Sequence, residues 1–210
     1  MSLLVLVRHG QTQYNLDQRF CGWTDEPLSD VGRETAKVLA NKLKNIRFDL
    51  VYTSDLSRTS ETAKIIIENL NQSGLKIQAS QEIKERDYGD LTGRNHSEAA
   101  KKFGQDQVDL WRRSWAETPP HGESLKDVYN RVAPFLKTEI LPQLQKENKN
   151  ILIAAHGNSL RATIKYFDLI PDREIAKLEI LYDSPYIYKI EKERIEKIDH
   201  NPRQFEKIAL

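Results

Sequence analysis

Two histidines, two arginines and a glutamate stand where they could do chemistry together. Arg8-His9-Gly10 closes one apolar run, and His156-Gly157-Asn158 closes another. Thr53-Ser54 ends a third run, with Arg58 in the next turn. The combination points to phosphate. Arginine offers planar, paired N–H donors to phosphoryl oxygens. A strand-to-helix turn adds backbone N–H groups and the positive end of a helix. A neutral imidazole at His9 can attack phosphorus and carry the phosphoryl group covalently. Flanking Arg and His then stabilise charge on the oxygens in flight. Gly10 and Gly157 would let the backbone come close to a ligand. Glu85 is the candidate for moving the substrate proton, provided that burial raises its pKa.

Taken singly, each residue has a plainer reading. Arg-His-Gly is a common tripeptide. His156 could be a hydrogen-bonded structural histidine, and Arg58 a solvated helix residue. Glu85 lies in a charged run with Glu82, Lys84, Arg86 and Asp87. None of this explains why these types fall together at strand ends. A metal site from His9 and His156 lacks a spaced third ligand.

The elements that must position these groups follow from apolar periodicity. Leu3–Val7 and Ile151–Ala155 read as strands buried on both faces, and Phe48–Thr53 as another. A polar, Gly-containing loop spans Arg8 to Leu28. Ser29 is a plausible N-cap for a helix carrying Val31, Val38, Leu39, Leu43 and Ile46. A second helix begins near Asp55–Ser57 and runs to about Leu70, burying Ala63, Ile66 and Ile67. Lys76–Ala79 is a weaker strand. Turns break up the middle, Glu82 to Glu123, with a short helix over Ser97–Phe103. Val128–Leu144 reads as helical, with Pro134 as a kink or first turn and Pro142 as its end. A helix over Ser159–Phe167 and a strand over Tyr186–Ile190 follow, then a charged, mobile tail from Glu191. Alternating strands and helices predict an α/β fold: a mostly parallel central sheet with helices on both faces. It forms one domain over residues 1–210, with ligands bound beyond the carboxyl ends of the strands.

Composition narrows the partners. The 210 residues carry 32 Lys+Arg against 31 Asp+Glu, a net charge of +1. That excludes neither local anion binding nor catalysis, but it predicts no nucleic-acid or membrane partner. Cys21 is the single cysteine, so no intrachain disulfide forms. No run resembles a signal peptide or a spanning helix, and the expected compartment is the cytoplasm.

At this point a resemblance emerges. Leu6-Val7-Arg8-His9-Gly10 resembles the signature of the histidine phosphatase superfamily. Asn15, Arg19-Phe20-Cys21-Gly22-Trp23, Leu28-Ser29, Tyr52-Thr53-Ser54 with Arg58, and Glu85-Arg86 with Tyr88-Gly89 and Leu91 are similar to its phosphoglycerate mutase branch. So are Gln107-Val108, Trp111-Arg112-Arg113-Ser114, Gly122 to Asp127 and Ile151 to Ala162. The resemblance implies a cofactor-dependent mutase, an isomerase that interconverts 2- and 3-phosphoglycerate in glycolysis and gluconeogenesis. It implies 2,3-bisphosphoglycerate as priming phosphoryl donor and no metal. By the same resemblance His9 is the phosphorylated nucleophile and Glu85 the proton donor and acceptor. Arg8, Arg58 and His156 hold the transferring group. Asn15, Cys21 (by its backbone), Gly22, Tyr88, His96, Arg112, Arg113, Gly157 and Asn158 fall at substrate-binding positions.

Three departures stand out. Asp87 replaces a usual His and would raise the Glu85 pKa if the two carboxylates approach. His96 replaces a usual Lys, which predicts weaker substrate binding at alkaline pH. The connection from Trp115 to Glu123 is shorter than in many bacterial relatives, which leaves monomer and homodimer both open. Rival readings are a phosphohistidine-dependent phosphatase, a bisphosphoglycerate mutase or synthase, and a non-catalytic phosphate-ligand-binding protein.

Overall fold

The computed structural model describes residues 1–192 and 194–199. Its strands are β1 (Ser2–Arg8), β2 (Leu50–Thr53), β3 (Ile77–Ala79), β4 (Ile151–Ala155), β5 (Tyr186–Glu191) and β6 (Arg194–Asp199). They form one sheet in the order β3-β2-β4-β1-β5-β6. The first four are mutually parallel, and β5 and β6 are antiparallel additions at one edge. The helices are α1 (Gln13–Leu16), α2 (Asp30–Lys42), α3 (Ser57–Asn69), α4 (His96–Phe103), α5 (Gln105–Arg113), α6 (Leu125–Phe135), α7 (Leu141–Gln145), α8 (Gly157–Asp168) and α9 (Asp172–Ile175).

The apolar runs are continuous because both faces of the sheet are covered. Leu4, Leu6, Ile151 and Ile153 point into a core shared with Val128, Val132 and Leu160 of α6 and α8. Val5, Val7, Leu152 and Ala154 point the other way, toward Leu39, Ala63 and Ile66 of α2 and α3. Alternate strand residues thus serve opposite cores.

Several expectations need correction. Ser29 does cap α2, accepting from the Gly32 N–H at 3.1 Å. Yet Val31 and Val38 are exposed, and Ile46 lies beyond the C-cap at Leu43. The inward face is Gly32, Ala36, Leu39 and Ala40. Gly10 serves packing and not ligand approach: a Cβ there would lie 2.2 Å from the Gly32 carbonyl oxygen. Pro142 does not end the helical stretch. A wide π turn over Leu136–Ile140 joins α6 to α7, and Pro142 sits in the first turn of α7, where its missing N–H costs least. The tail from Glu191 is not a loose end up to residue 199. β6 pairs with β5, Ile195 packs on the core, and Lys197 bridges Asp168 at 2.6 Å. Its charged composition is that of an edge strand. The rest of that tail lies outside the described residues.

The middle segment holds more helix than its Gly and Pro content suggests. Gly104, at φ +87°, separates α4 from α5. Phe20, Leu91, Ala99, Val108 and Trp111 form a small separate core beneath them.

Candidate active site

The carboxyl ends of β1, β2 and β4 open into a cavity of about 190 Å³. Six arginines line it (Arg8, Arg19, Arg58, Arg112, Arg113 and Arg161) against one carboxylate, Glu85. A chain of net charge +1 thereby holds a strongly positive pocket.

His9 follows β1 directly and is 3% exposed. Its Nδ1 lies 2.7 Å from the Gly10 carbonyl oxygen. A carbonyl only accepts, so Nδ1 carries the proton and Nε2 keeps the lone pair. Burial, then the charges of Arg58 and Arg8, hold the His9 pKa well below its ordinary value. The imidazole is neutral at neutral pH, as a nucleophile requires.

His156 closes β4, fully buried, with its ring edge-to-face to His9 at 5.0 Å between centroids. Arg58 Nε donates to His156 Nδ1 at 3.3 Å, which leaves the proton on Nε2 to donate to Ser54 Oγ at 2.8 Å. Burial and Arg58 push its pKa well down too. Arg58 is no solvated helix residue. It is 0% exposed, and its Nη1 and Nη2 donate to the carbonyls of Thr24 and Gly22 at 2.7 and 2.8 Å. Gly22 takes φ +50°, which suits the missing side chain, and so turns its carbonyl to Arg58.

The middle segment brings the remaining groups over the sheet end. Glu85 is buried, and three donors converge on its Oε1: the Arg86 N–H at 2.7 Å, the Asn158 N–H at 3.3 Å and Asn158 Nδ2 at 2.8 Å. Oε2 carries no hydrogen bond among the described residues. Asn158 Nδ2 also reaches the Tyr88 hydroxyl at 3.2 Å. Gly157 opens α8 beside the Arg8 guanidinium, 3.7 Å from where its Cβ would be. Asn15 accepts from Thr12 and donates to Cys21 Sγ at 3.2 Å, bracing the loop after β1. Arg112 and Arg113 end α5 with their side chains on the cavity.

The Asp87 carboxylate accepts from the Gly89 N–H at 2.8 Å. One departure resolves differently from expectation. His96 packs edge-on to Phe20 at 4.4 Å, and burial, then Arg112, push its pKa down to about 4. It is neutral throughout the physiological range. The expected loss of substrate binding at alkaline pH therefore has no basis in His96.

Sequence reasoning missed two residues that organise the site. Arg161 Nη1 donates to Asn158 Oδ1 at 3.2 Å and its Nε to the Leu178 carbonyl at 2.8 Å. Its signal was legible, since it lies three residues after Asn158 on one helix face. Tyr182 touches Arg8 from a non-helical stretch far along the chain, and no local pattern announces it.

Geometry and comparison agree. Residues 4–201 match the histidine phosphatase superfamily (branch 1), and the chain belongs to that family. Within it, the chain is 46% identical over 189 residues to a 2,3-bisphosphoglycerate-dependent phosphoglycerate mutase of Allorhizobium ampelinum, covering 89% of both chains. It is 44% identical over 192 residues to the enzyme of the same name from Parvibaculum lavamentivorans, covering 90% of this chain and 91% of that one. The near-equal coverage means that these relatives have about this chain's length. Among solved structures, Bacillus stearothermophilus YhfR is similar with TM-score 0.82 and 25% identity over 95% of this chain and 96% of that one. A mycobacterial glucosyl-3-phosphoglycerate phosphatase matches with TM-score 0.79 and 27% identity over 96% and 99%. No helix among the described residues is long and apolar enough to cross a membrane.

Proposed function

We propose that this protein interconverts 2-phosphoglycerate and 3-phosphoglycerate through a phosphohistidine at His9, as an intramolecular phosphotransferase. The observation that carries the reading is the pairing of a buried, neutral His9 with six arginines and a single carboxylate around one small cavity. That cavity suits a compact polyanion. Arg8, whose Nε is buried without a hydrogen-bond partner, has a donor left for a phosphoryl oxygen. The same donors fit 2,3-bisphosphoglycerate, which when bound supplies the phosphoryl group that primes His9. The near identity of length and the 44–46% identity to mutases so named support this cofactor.

The chain's own groups divide the work. His9 Nε2 takes the phosphoryl group while Nδ1–H stays on the Gly10 carbonyl, which keeps the ring in register. Arg8, Arg58 and His156 face the transferring oxygens; a phosphoryl oxygen would compete with Ser54 for the His156 Nε2–H. Asn158 holds Glu85 by Oε1, so that Oε2 exchanges the proton with the substrate hydroxyl. Asn15, Gly22, Tyr88, His96, Arg112, Arg113 and the backbone of Cys21 bind the substrate body. No metal is needed, because guanidinium groups meet the charge. The reading treats residues 1–210 as one unit working in the cytoplasm in glycolysis and gluconeogenesis, as a monomer or homodimer that light scattering would separate.

A second reading has its own observation. Among solved structures of this fold is a phosphatase, which makes water the rival acceptor. ³¹P NMR of 3-phosphoglycerate with and without catalytic 2,3-bisphosphoglycerate decides. Formation of 2-phosphoglycerate, stimulated by the bisphosphate and indifferent to EDTA, supports the mutase. Inorganic phosphate as sole product would replace it with the phosphatase.

A further inference from the structure

Any phosphohistidine faces two acceptors, the substrate hydroxyl and water. The site as assigned so far contains nothing that chooses between them. A second cavity, of about 470 Å³, adjoins the first and shares Arg8, Asn15, Arg19, His96 and Arg112 with it. Tyr182 lines this outer space. It belongs to the irregular strap between α9 and β5, which is tied down at several points. Arg161 Nε donates to the Leu178 carbonyl, Tyr186 Oη to the Glu179 carbonyl at 2.9 Å and Lys42 Nζ to the Asp183 carbonyl.

The strap grips the nucleophile's neighbour. Arg8 Nη1 donates to the Ile180 carbonyl and Nη2 to the Tyr182 hydroxyl, each at 2.8 Å. The Tyr182 ring stacks on the Arg8 guanidinium at 3.8 Å and lies edge-on to His9 at 6.3 Å between centroids. An aromatic plate thus covers Arg8 and the flank of His9 on the outer side, where the wider cavity meets the inner one. Such a plate withdraws space from water while leaving Arg8 fixed for a phosphoryl oxygen.

We propose that Tyr182 selects the acceptor, shielding the phosphorylated His9 from water so that the phosphoryl group passes to a sugar-acid hydroxyl. The inference rests on the phosphohistidine reading above. In either outcome the N–P bond at His9 Nε2 breaks and its electron pair returns to the imidazole. A new O–P bond forms, and the acceptor's proton passes to Glu85. The acceptor alone differs: the free hydroxyl of a bound phosphoglycerate gives 2,3-bisphosphoglycerate, which returns its other phosphoryl group to His9 to complete isomerisation, and water gives inorganic phosphate. Tyr182 acts as a positioning residue through Arg8 and as a steric shield.

The test compares full-length wild type with Y182F and Y182L. One ³¹P NMR run gives the ratio of inorganic phosphate released to phosphoglycerate isomerised. A chase of the ³²P-labelled protein without acceptor gives the phosphohistidine half-life. Y182L should raise the ratio roughly tenfold, a barrier change of about 1.4 kcal/mol, and shorten the half-life to match. Y182F keeps the plate but loses the oxygen that accepts from Arg8. It should turn over more slowly while its ratio stays near wild type. A purely structural role would lower turnover in both variants and move neither ratio nor half-life. Y182S, a second truncation, stands in if Y182L fails to fold. A wild-type ratio and half-life in a folded truncation overturn the proposal and leave the mutase reading intact. Wild type that only hydrolyses 3-phosphoglycerate overturns both, because water would then reach His9 past Tyr182.

Discussion

The groups around the cavity come from two regions built in different ways. The sheet end supplies Arg8, His9, Arg58 and His156. Its strands run through two large cores, with Leu4 to Val7 and Ile151 to Ala155 at most 1% exposed. The overhanging segment supplies Glu85, Tyr88, His96, Arg112 and Arg113. Helices α4 and α5 within it rest on a core of only five buried side chains. A region with few buried contacts opens at lower free energy than the sheet beneath it. The nucleophile therefore sits on the rigid half and most substrate donors on the half able to yield. A small, highly charged substrate needs that division, because it must enter a pocket that then excludes water.

The two halves should respond differently to substitution. His9→Ala removes the nucleophile. Mutase turnover should drop by roughly 10⁴-fold or more, and ³²P labelling of the protein should vanish. Glu85→Gln leaves the sheet end untouched. Turnover should fall by about 10²–10⁴-fold while slow labelling of His9 persists; loss of labelling as complete as in His9→Ala would merge the two roles. Core truncations separate the halves by stability. Ile153→Ala should cost about 2–5 kcal/mol in global urea unfolding. Trp111→Ala should loosen the overhang, raising KM and the hydrogen exchange of α5 amides more than those of β4. Equal exchange in both elements would mean that the halves unfold as one.

Acid should weaken the fold through its buried imidazoles. His9, His156 and His96 all have folded pKa values below the ordinary histidine value, so the unfolded chain binds more protons. Stability should hold above about pH 6.5 and decline below it, with the His96 part of the loss spread down to about pH 4. Urea midpoints at several pH values measure this, and a flat profile would contradict the burial of these rings. The smallest effect concerns binding. His96→Lys places a cation beside Arg112 at the cavity wall and should lower KM for phosphoglycerate by roughly three- to tenfold. KM of the wild type should show no His96 titration above pH 6.

Much of the sheet end was legible in the sequence, for a local reason. An apolar run ending in Arg-His-Gly or His-Gly-Asn announces both the strand and the place where it stops, and α/β sheets put ligands there. The overhang was less legible. Gly104 and the prolines hid α5, because breakers mark turns without saying what lies between them. Gly10 looked like freedom for a ligand, and it turned out to be a backbone pressed against that of Gly32. The charged stretch after Glu191 looked mobile, yet charge on an edge strand is ordinary.

The sequence by itself determined the α/β layering, the strand ends that carry His9, Arg58 and His156, and the kinship that names the chemistry. Those features depend on neighbours close along the chain, where periodicity and residue type speak directly. Only the tertiary structure decided that His96 is neutral, that Arg161 steadies Asn158 and that Tyr182 covers Arg8. Each of these depends on burial and on contacts between segments far apart in the chain. A pKa or an aromatic stack is a property of the assembled surroundings, which no single stretch of sequence contains.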